Sequence, residues 1–234
     1  MDRRYIFPPL TLPFFIFLFT LPFLFFSFMF AIVSVGRALG FSALQILLIL
    51  YASLIGSLIN IPVKEFEHPV KVIREYSFFG IRYRIPVIHS QRTVLAVNVG
   101  GAVIPVIVAL YLLISSLLPH IQIFLLAFFI VTAASYAFAK VIKGVGIIIP
   151  AFLPPLFASI ASLIAVLQSP QNFSIMPKIA FTSGVFGVLF GADILNMRKV
   201  IRMGAPIVSI GGAGVFDGIF LTGFMSAMLA LLFM

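Results

Sequence analysis

Cysteine and tryptophan are absent from the 234 residues, and acids are scarce, with six Asp and Glu against fifteen Lys and Arg. Without cysteine there is no disulfide, no thiolate nucleophile and no Cys-held zinc or iron–sulfur centre, and the redox compartment stays open. We have no physical account of the missing tryptophan. Charged residues are only 9% of the chain, whereas 62% is hydrophobic and the mean hydropathy is +1.25. A soluble domain this short has no interior large enough for so much apolar surface, so the sequence is that of an integral membrane protein whose first partner is the lipid bilayer. A pI near 10.3 would suggest nucleic acid in a soluble domain. Here the basic residues serve membrane orientation, and no nucleic-acid partner is expected.

Cutting the chain at charges, Pro/Gly clusters and polar patches predicts a single all-α, multi-pass domain over 1–234, with seven spans near 10–35, 42–62, 93–117, 121–140, 149–168, 177–196 and 206–232. Each reaches roughly the 20 residues that a bilayer requires. The first span is longer than a secretory signal and lacks a cleavage site, so it is expected to stay as a helix, its phenylalanines facing lipid. With the N-terminus cytoplasmic, thirteen of the fifteen basic residues fall inside, and only Arg37 and Lys178 fall outside. Such an asymmetry predicts a multi-pass protein of the cell membrane with its C-terminus outside.

The largest polar connection, 63–92, alternates charged and apolar residues on either side of Gly80, as in Val70-Lys-Val-Ile-Arg-Glu-Tyr and Ile81-Arg-Tyr-Arg-Ile-Pro-Val. That period predicts a cytoplasmic β-hairpin inserted between helices two and three. Arg198-Lys-Val-Ile-Arg-Met-Gly is a shorter version, expected as a brief hairpin or an interfacial segment. Val97-Asn-Val-Gly-Gly-Ala and Val208-Ser-Ile-Gly-Gly-Ala open spans three and seven. Leu54-Ile-Gly-Ser-Leu-Ile and Val185-Phe-Gly-Val-Leu-Phe lie in spans two and six. Together they suggest a parallel 3+1+3 repeat, with span four as the linker.

Asp193 and Asp217, in spans six and seven, are the only acids inside apolar segments; Asp2, Glu65, Glu67 and Glu75 lie in polar stretches. A carboxylate at the centre of a membrane helix costs roughly 2.5–3.5 kcal/mol, so it persists mainly where it lines a cavity, pairs or reacts. Two facing carboxylates in an apolar site would share one proton, so that one accepts a proton from water while the other hydrogen-bonds a scissile carbonyl. No metal and no cofactor enters such chemistry. The plainer reading is that each aspartate caps a helix break or pairs with Arg198 or Arg202. Gly191, Gly211, Gly212, Gly214 and Gly218 would let a substrate backbone approach closely. Asn60 and Asn98, at the ends of spans two and three, would line the same cavity or cap broken helix ends. His68 and His89, near Glu65 and Glu67, fit no metal-ligand spacing, and solvated surface residues are the expectation there.

Two aspartates on consecutive spans, a cytoplasmic loop between them and glycines before the second resemble the presenilin-type intramembrane aspartyl proteases, which carry Tyr-Asp on one span and Gly-x-Gly-Asp on the next. That resemblance implies a hydrolase acting on a transmembrane peptide, with Asp193 and Asp217 catalytic. The chain departs from the pattern in three places. Ala192 stands where the tyrosine would be, the glycines of Gly211-Gly-Ala-Gly-Val-Phe-Asp217 lie farther from the acid, and no Pro-Ala-Leu element follows. Gly191-Ala-Asp-Ile-Leu-Asn196 and the block from Gly211 to Phe220 also resemble an uncharacterised prokaryotic family of multispanning proteins, which implies no activity. The alternative function is a proton- or cation-coupled transporter of small solutes, suggested by the repeat, the glycine-broken helices and the carboxylates.

Overall fold

The computed structural model describes residues 12–79, 81–142, 146–202, 205–212 and 218–234. In chain order these form α1 (Leu12–Leu39), α2 (Ala43–Gly56), β1 (Asn60–Phe78), β2 (Ile81–Asn98), α3 (Ile104–Leu112), α4 (Ile121–Phe138), β3 (Lys140–Ile142), β4 (Gly146–Ile148), α5 (Leu153–Leu167), α6 (Met176–Val188), α7 (Met197–Arg202), β5 (Ile207–Ile210) and α8 (Gly218–Leu231). Wide π-helical turns extend α3 at both ends, Val99–Val103 and Leu113–Leu117, and extend α6 as Leu189–Ile194.

The protein is mostly helical. Among the described residues, three stretches, Phe14–Leu39, Val99–Phe138 and Pro170–Arg202, are long and apolar enough to cross a membrane. The other apolar helices, α2, α5 and α8, have 14, 15 and 14 residues. The expectation of about 20 helical residues in every span therefore fails for these three, because chain assigned to the spans goes elsewhere. Residues 60–62, the end of span two, and Ile207–Ile210, the start of span seven, are strand, and so are residues 93–98 ahead of the long Val99–Phe138 stretch. The Phe-rich half of α1 is exposed, and its burial begins only with Ile32, Val35 and Leu39.

The expected hairpin forms and is longer than 63–92. Asn60 pairs with Asn98 at its base and Phe78 with Ile81 at its tip, with a register shift between Pro62 and Lys64. Opposite charges sit directly across the ladder, Arg84 to Glu75 at 2.7 Å and Arg92 to Glu67 at 3.0 Å. Both pairs are well exposed, so they fix register more than they add stability. Of the two expectations for the stretch at Arg198, a brief hairpin or an interfacial segment, the hairpin is overturned, since Met197–Arg202 is helical. The backbone carbonyl of Asn196 starts α7 by accepting from the backbone N–H groups of Lys199 and Val200 at 2.9 and 3.2 Å. Val200 is 1% exposed, so one apolar face of this short basic segment seats against the protein.

Every residue of α6 except Lys178 is buried, which makes it the central helix. Small residues allow this. A Cβ on Gly184 would lie 3.0 Å from Ser226 Oγ and 3.2 Å from Thr222 Cγ2 of α8, and one on Gly223 would lie 2.6 Å from Val185 Cγ2. Ser226 Oγ donates to the Ala180 carbonyl at 2.9 Å. Among apolar surroundings helices associate by close packing and short hydrogen bonds, for which glycine and serine are suited. The pairings of 180 with 226 and of 185 with 223 make α6 and α8 antiparallel. At one end of the bundle Lys178 Nζ donates to Ser116 Oγ at 3.1 Å beside the α1–α2 turn at Gly40.

Gly223→Ala is expected to overpack this contact, at a cost of about 1–3 kcal/mol, and to lower the thermal midpoint in detergent by several degrees. Gly218→Ala, whose new Cβ would meet no described residue within 4 Å, should leave the midpoint unchanged.

Candidate functional site

At the base of the hairpin β2 is sandwiched between two strands. It runs antiparallel to β1 and parallel to β5, with Val94 opposite Ile207 and Val97 opposite Ile210. Val94 N–H donates to the Pro206 carbonyl at 2.9 Å. The two Gly-Gly motifs of the suspected repeat thus enter the bundle side by side and in the same direction. They touch: a Cβ on Gly211 would lie 2.6 Å from Ala102 Cβ and 2.7 Å from Ala102 N. Gly211 has φ +73°, a left-handed conformation in which glycine carries no steric penalty.

Three polar side chains converge at this junction. Asn98, 1% exposed, accepts from Gly101 N–H at 2.8 Å and so caps the first turn of Val99–Val103. Its Nδ2 donates to the Ser57 carbonyl at 2.7 Å and to Asn60 Oδ1 at 3.1 Å. Ser209 Oγ donates to the same Asn60 oxygen at 2.6 Å. The group grades outward from buried Asn98 through half-buried Ser209 to exposed Asn60. Gly212 lies against it: an added Cβ would be 3.3 Å from Asn60 Oδ1 and would collide with Ser209. The junction is closed from behind by α2. Ser53 Oγ donates to the Gly100 carbonyl, and a Cβ on Gly100 would strike α2 backbone at Ser53 and Ser57. The cluster is uncharged and built of amides and hydroxyls, suited to hydrogen-bonding a polar or peptide-like group. Ser209 is the member that its residue type alone does not flag; it stands where Asn98 stands in the other Val-x-x-Gly-Gly motif.

Asp193 and Gly191 belong to a second group. Both lie in the π-helical turn Leu189–Ile194, with Asp193 half-buried. Gly191 lets this turn press onto α4, where an added Cβ would be 2.9 Å from Ser135 Cβ and would collide with the Thr132 carbonyl. The Ser135 and Thr132 hydroxyl oxygens on α4 are buried without a hydrogen-bond partner, so they remain able to meet a water or a polar ligand. Asn196 Nδ2 reaches back to the Gly191 and Ala192 carbonyls at 3.3 and 3.1 Å, which satisfies acceptors of the widened turn. Lys199 Nζ donates to Asn196 Oδ1 at 2.9 Å and lies 5.0 Å over the Tyr136 ring. Asp217 and Gly214 lie outside the described residues. Gly218 opens α8, and the antiparallel α6–α8 register, continued from its contacts at 180, 184 and 185, carries Gly218 to roughly the level of Leu189, where the widened turn begins. The candidate residues therefore fall into a junction group, Asn60, Asn98, Gly211 and Gly212, and a turn group, Gly191 and Asp193.

A family model described as Protein of unknown function (DUF1614) matches residues 54–229, about three quarters of the chain. The chain belongs to that family. No curated protein and no solved structure matches it. The DUF1614 region begins inside α2 and ends inside α8. Both groups, and Asp217 with them, fall within it, whereas α1 does not.

Asn98→Ala is expected to destabilise the DUF1614 core by about 1–3 kcal/mol, the cost of leaving buried partners unsatisfied. Asn98→Asp should be worse, because a carboxylate would face the Ser57 carbonyl and Asn60 Oδ1 with nothing to donate. Thermal unfolding in detergent checks the order, wild type above Ala above Asp.

Proposed function

We propose that this DUF1614 protein is an intramembrane aspartyl protease that cleaves membrane-spanning peptides with Asp193 and Asp217. The observation that carries the reading is the α6–α8 packing. Gly218, bonded to Asp217, comes level with the turn that holds Asp193, and that turn is a π-helical widening rather than regular helix. Such widenings release backbone groups and are frequent at functional sites. A Cβ on Gly218 would meet no atom of a described residue within 4 Å.

In the reaction, one carboxylate takes a proton from water as the water oxygen attacks the scissile carbonyl carbon. The other, protonated, donates its proton to the carbonyl oxygen. As the tetrahedral diol collapses, the protonated carboxyl gives its proton to the leaving nitrogen, the C–N bond breaks, and the other carboxylate takes the proton of a diol hydroxyl as that oxygen becomes the new carbonyl, so that the pair again holds one. The junction group would hold the polar backbone of an unwound substrate segment. The finer topology belongs to the same proposal: seven crossings in the cell membrane, the N-terminus cytoplasmic and the C-terminus outside, as the Lys/Arg asymmetry suggests. The presenilin-type resemblance of the paired acids agrees with this chemistry.

A second reading is a proton- or cation-coupled transporter. The parallel entry of two strand–Gly-Gly–helix elements favours it, since internal repeats meeting at broken helices are a common architecture for solute sites. The halves do not repeat contact for contact: Gly56 packs on Gly100, whereas its counterpart Gly187 packs on Val131 of α4.

Asp193→Asn and Asp217→Asn should each reduce cleavage of a transmembrane peptide in proteoliposomes by about a hundred- to ten-thousand-fold, the contribution of a positioned acid or base, while both variants elute as folded protein. Undiminished cleavage in either variant removes the protease reading. Solute uptake that follows an imposed pH gradient and is lost in Asp193→Asn, without peptide cleavage, would put the transporter in its place.

A further inference from the structure

Arg37 and Lys178 are the two basic residues that the Lys/Arg count sets apart from the other thirteen, and the fold brings them to one corner. Arg37 lies in the last turn of α1, and its carbonyl accepts from Gly40 N–H at 2.9 Å. A Cβ on Gly40 would lie 3.7 Å from Lys178 Nζ. Lys178 Nζ donates to Ser116 Oγ at 3.1 Å, and Ser115 Oγ stands 3.4 Å from the same hydroxyl. The π-helical turn Leu113–Leu117 presents both serines. Phe41, next to Gly40, packs on Tyr111, one turn before Ser115, with ring centroids 5.7 Å apart.

No described acid answers these cations. The three Glu lie on β1, which starts beyond the opposite end of α2, and Asp193 lies about 22 Å along the helix from Lys178 at 1.5 Å per residue. Among the described residues the ion pairs are the two on the hairpin. Arg37 has a local reason for its place, since a cation is favoured at the C-terminal end of a helix. Lys178 has the reverse. It is the third residue of α6, and α2 is capped by Ser42 in the same corner, so two positive helix ends add to two positive side chains. Lys178 is half-buried, and Ser116 takes one of its three donors. A partly buried charge persists where it is paired, and the described residues supply no such partner.

We propose that Arg37, Lys178 and Ser116 bind a phosphate group, carried by a phospholipid headgroup or free in solution. The donor set selects that chemistry. The planar Arg fork and the Lys ammonium match an oxyanion with several acceptor oxygens, and the Ser116 hydroxyl, which accepts from Lys178, still has its proton to donate. Leu39 ends one of the stretches able to cross a membrane, so the corner lies near headgroup depth, where an aromatic pair such as Phe41 and Tyr111 is at home. The inference uses neither aspartate and holds under either reading of the function.

The test titrates delipidated protein in non-ionic detergent with dioctanoyl phosphatidylglycerol, with inorganic phosphate and with sodium chloride at matched ionic strength, and follows the thermal midpoint. Phosphatidylglycerol or phosphate should raise the wild-type midpoint above the chloride control. A lipid effect without a phosphate effect identifies a headgroup, and a phosphate effect as large as the lipid's identifies the free anion; both support the site. Arg37→Gln and Lys178→Gln should each weaken the apparent affinity about ten- to a hundredfold, the loss of one charged hydrogen-bond donor, and Lys178→Arg should retain most of it. Arg37 is exposed, so its variant keeps the test open should Lys178→Gln fail to fold. Arg198→Gln, on α7 at the other end of α6, should bind as wild type does. No shift beyond chloride, undiminished affinity in Arg37→Gln, or equal weakening in Arg198→Gln would overturn the proposal.

Discussion

Wherever an extended strand becomes a helix inside an apolar body, the first helical N–H groups have no carbonyl behind them and no water to turn to. Asn98 meets that requirement at the β2-to-α3 junction. One side chain accepts from the Gly101 N–H and donates both to the end of α2 and to the start of β1. The hairpin base, the entry of α3 and the seat of β5 all depend on it. The same bonds that satisfy the backbone gather Asn60 and Ser209 into a polar cluster, so the fold's most demanding junction and its best-formed candidate binding group are one arrangement.

The acid-bearing turn is held by a different means. Gly184, Gly187, Gly191 and Gly223 remove the side chains that would keep α6 away from α4 and α8, and α6 becomes buried on nearly all sides. A helix so enclosed cannot easily shift. Asn196 and Lys199 complete that support, bridging the widened turn to α7 and to Tyr136 of α4.

The two groups belong to successive segments of the DUF1614 region, and β5 connects them along the chain: it leaves α7, pairs with β2 beside the Asn cluster, and leads toward α8. A change at the Asn98 junction is therefore transmitted to the strand that precedes the second acid. The long hairpin departs from the same sheet, with Glu67–Arg92 and Glu75–Arg84 paired across it.

Much of this was legible in the sequence. Apolar run length disclosed the membrane class, period-two alternation disclosed the hairpin, and the rarity of acids in apolar stretches singled out Asp193 and Asp217. The repeated Val-x-x-Gly-Gly motifs marked two related entries into the bundle, and Asn60 and Asn98 stood out as polar residues at helix ends. What composition could not supply was where strand gives way to helix at Thr93–Asn98 and Ile207–Ile210, because short apolar β-branched runs suit either state. Nor could it show that Arg198 lies in a helix started by Asn196, or that Ser209 shares an acceptor with Asn98. The strand at Ile207–Ile210 and the contact of Ser209 are decided by the parallel pairing of β2 with β5, between residues more than a hundred positions apart. Local residue preferences act over a few neighbours, whereas a buried backbone group must be satisfied by whatever the whole fold brings to it.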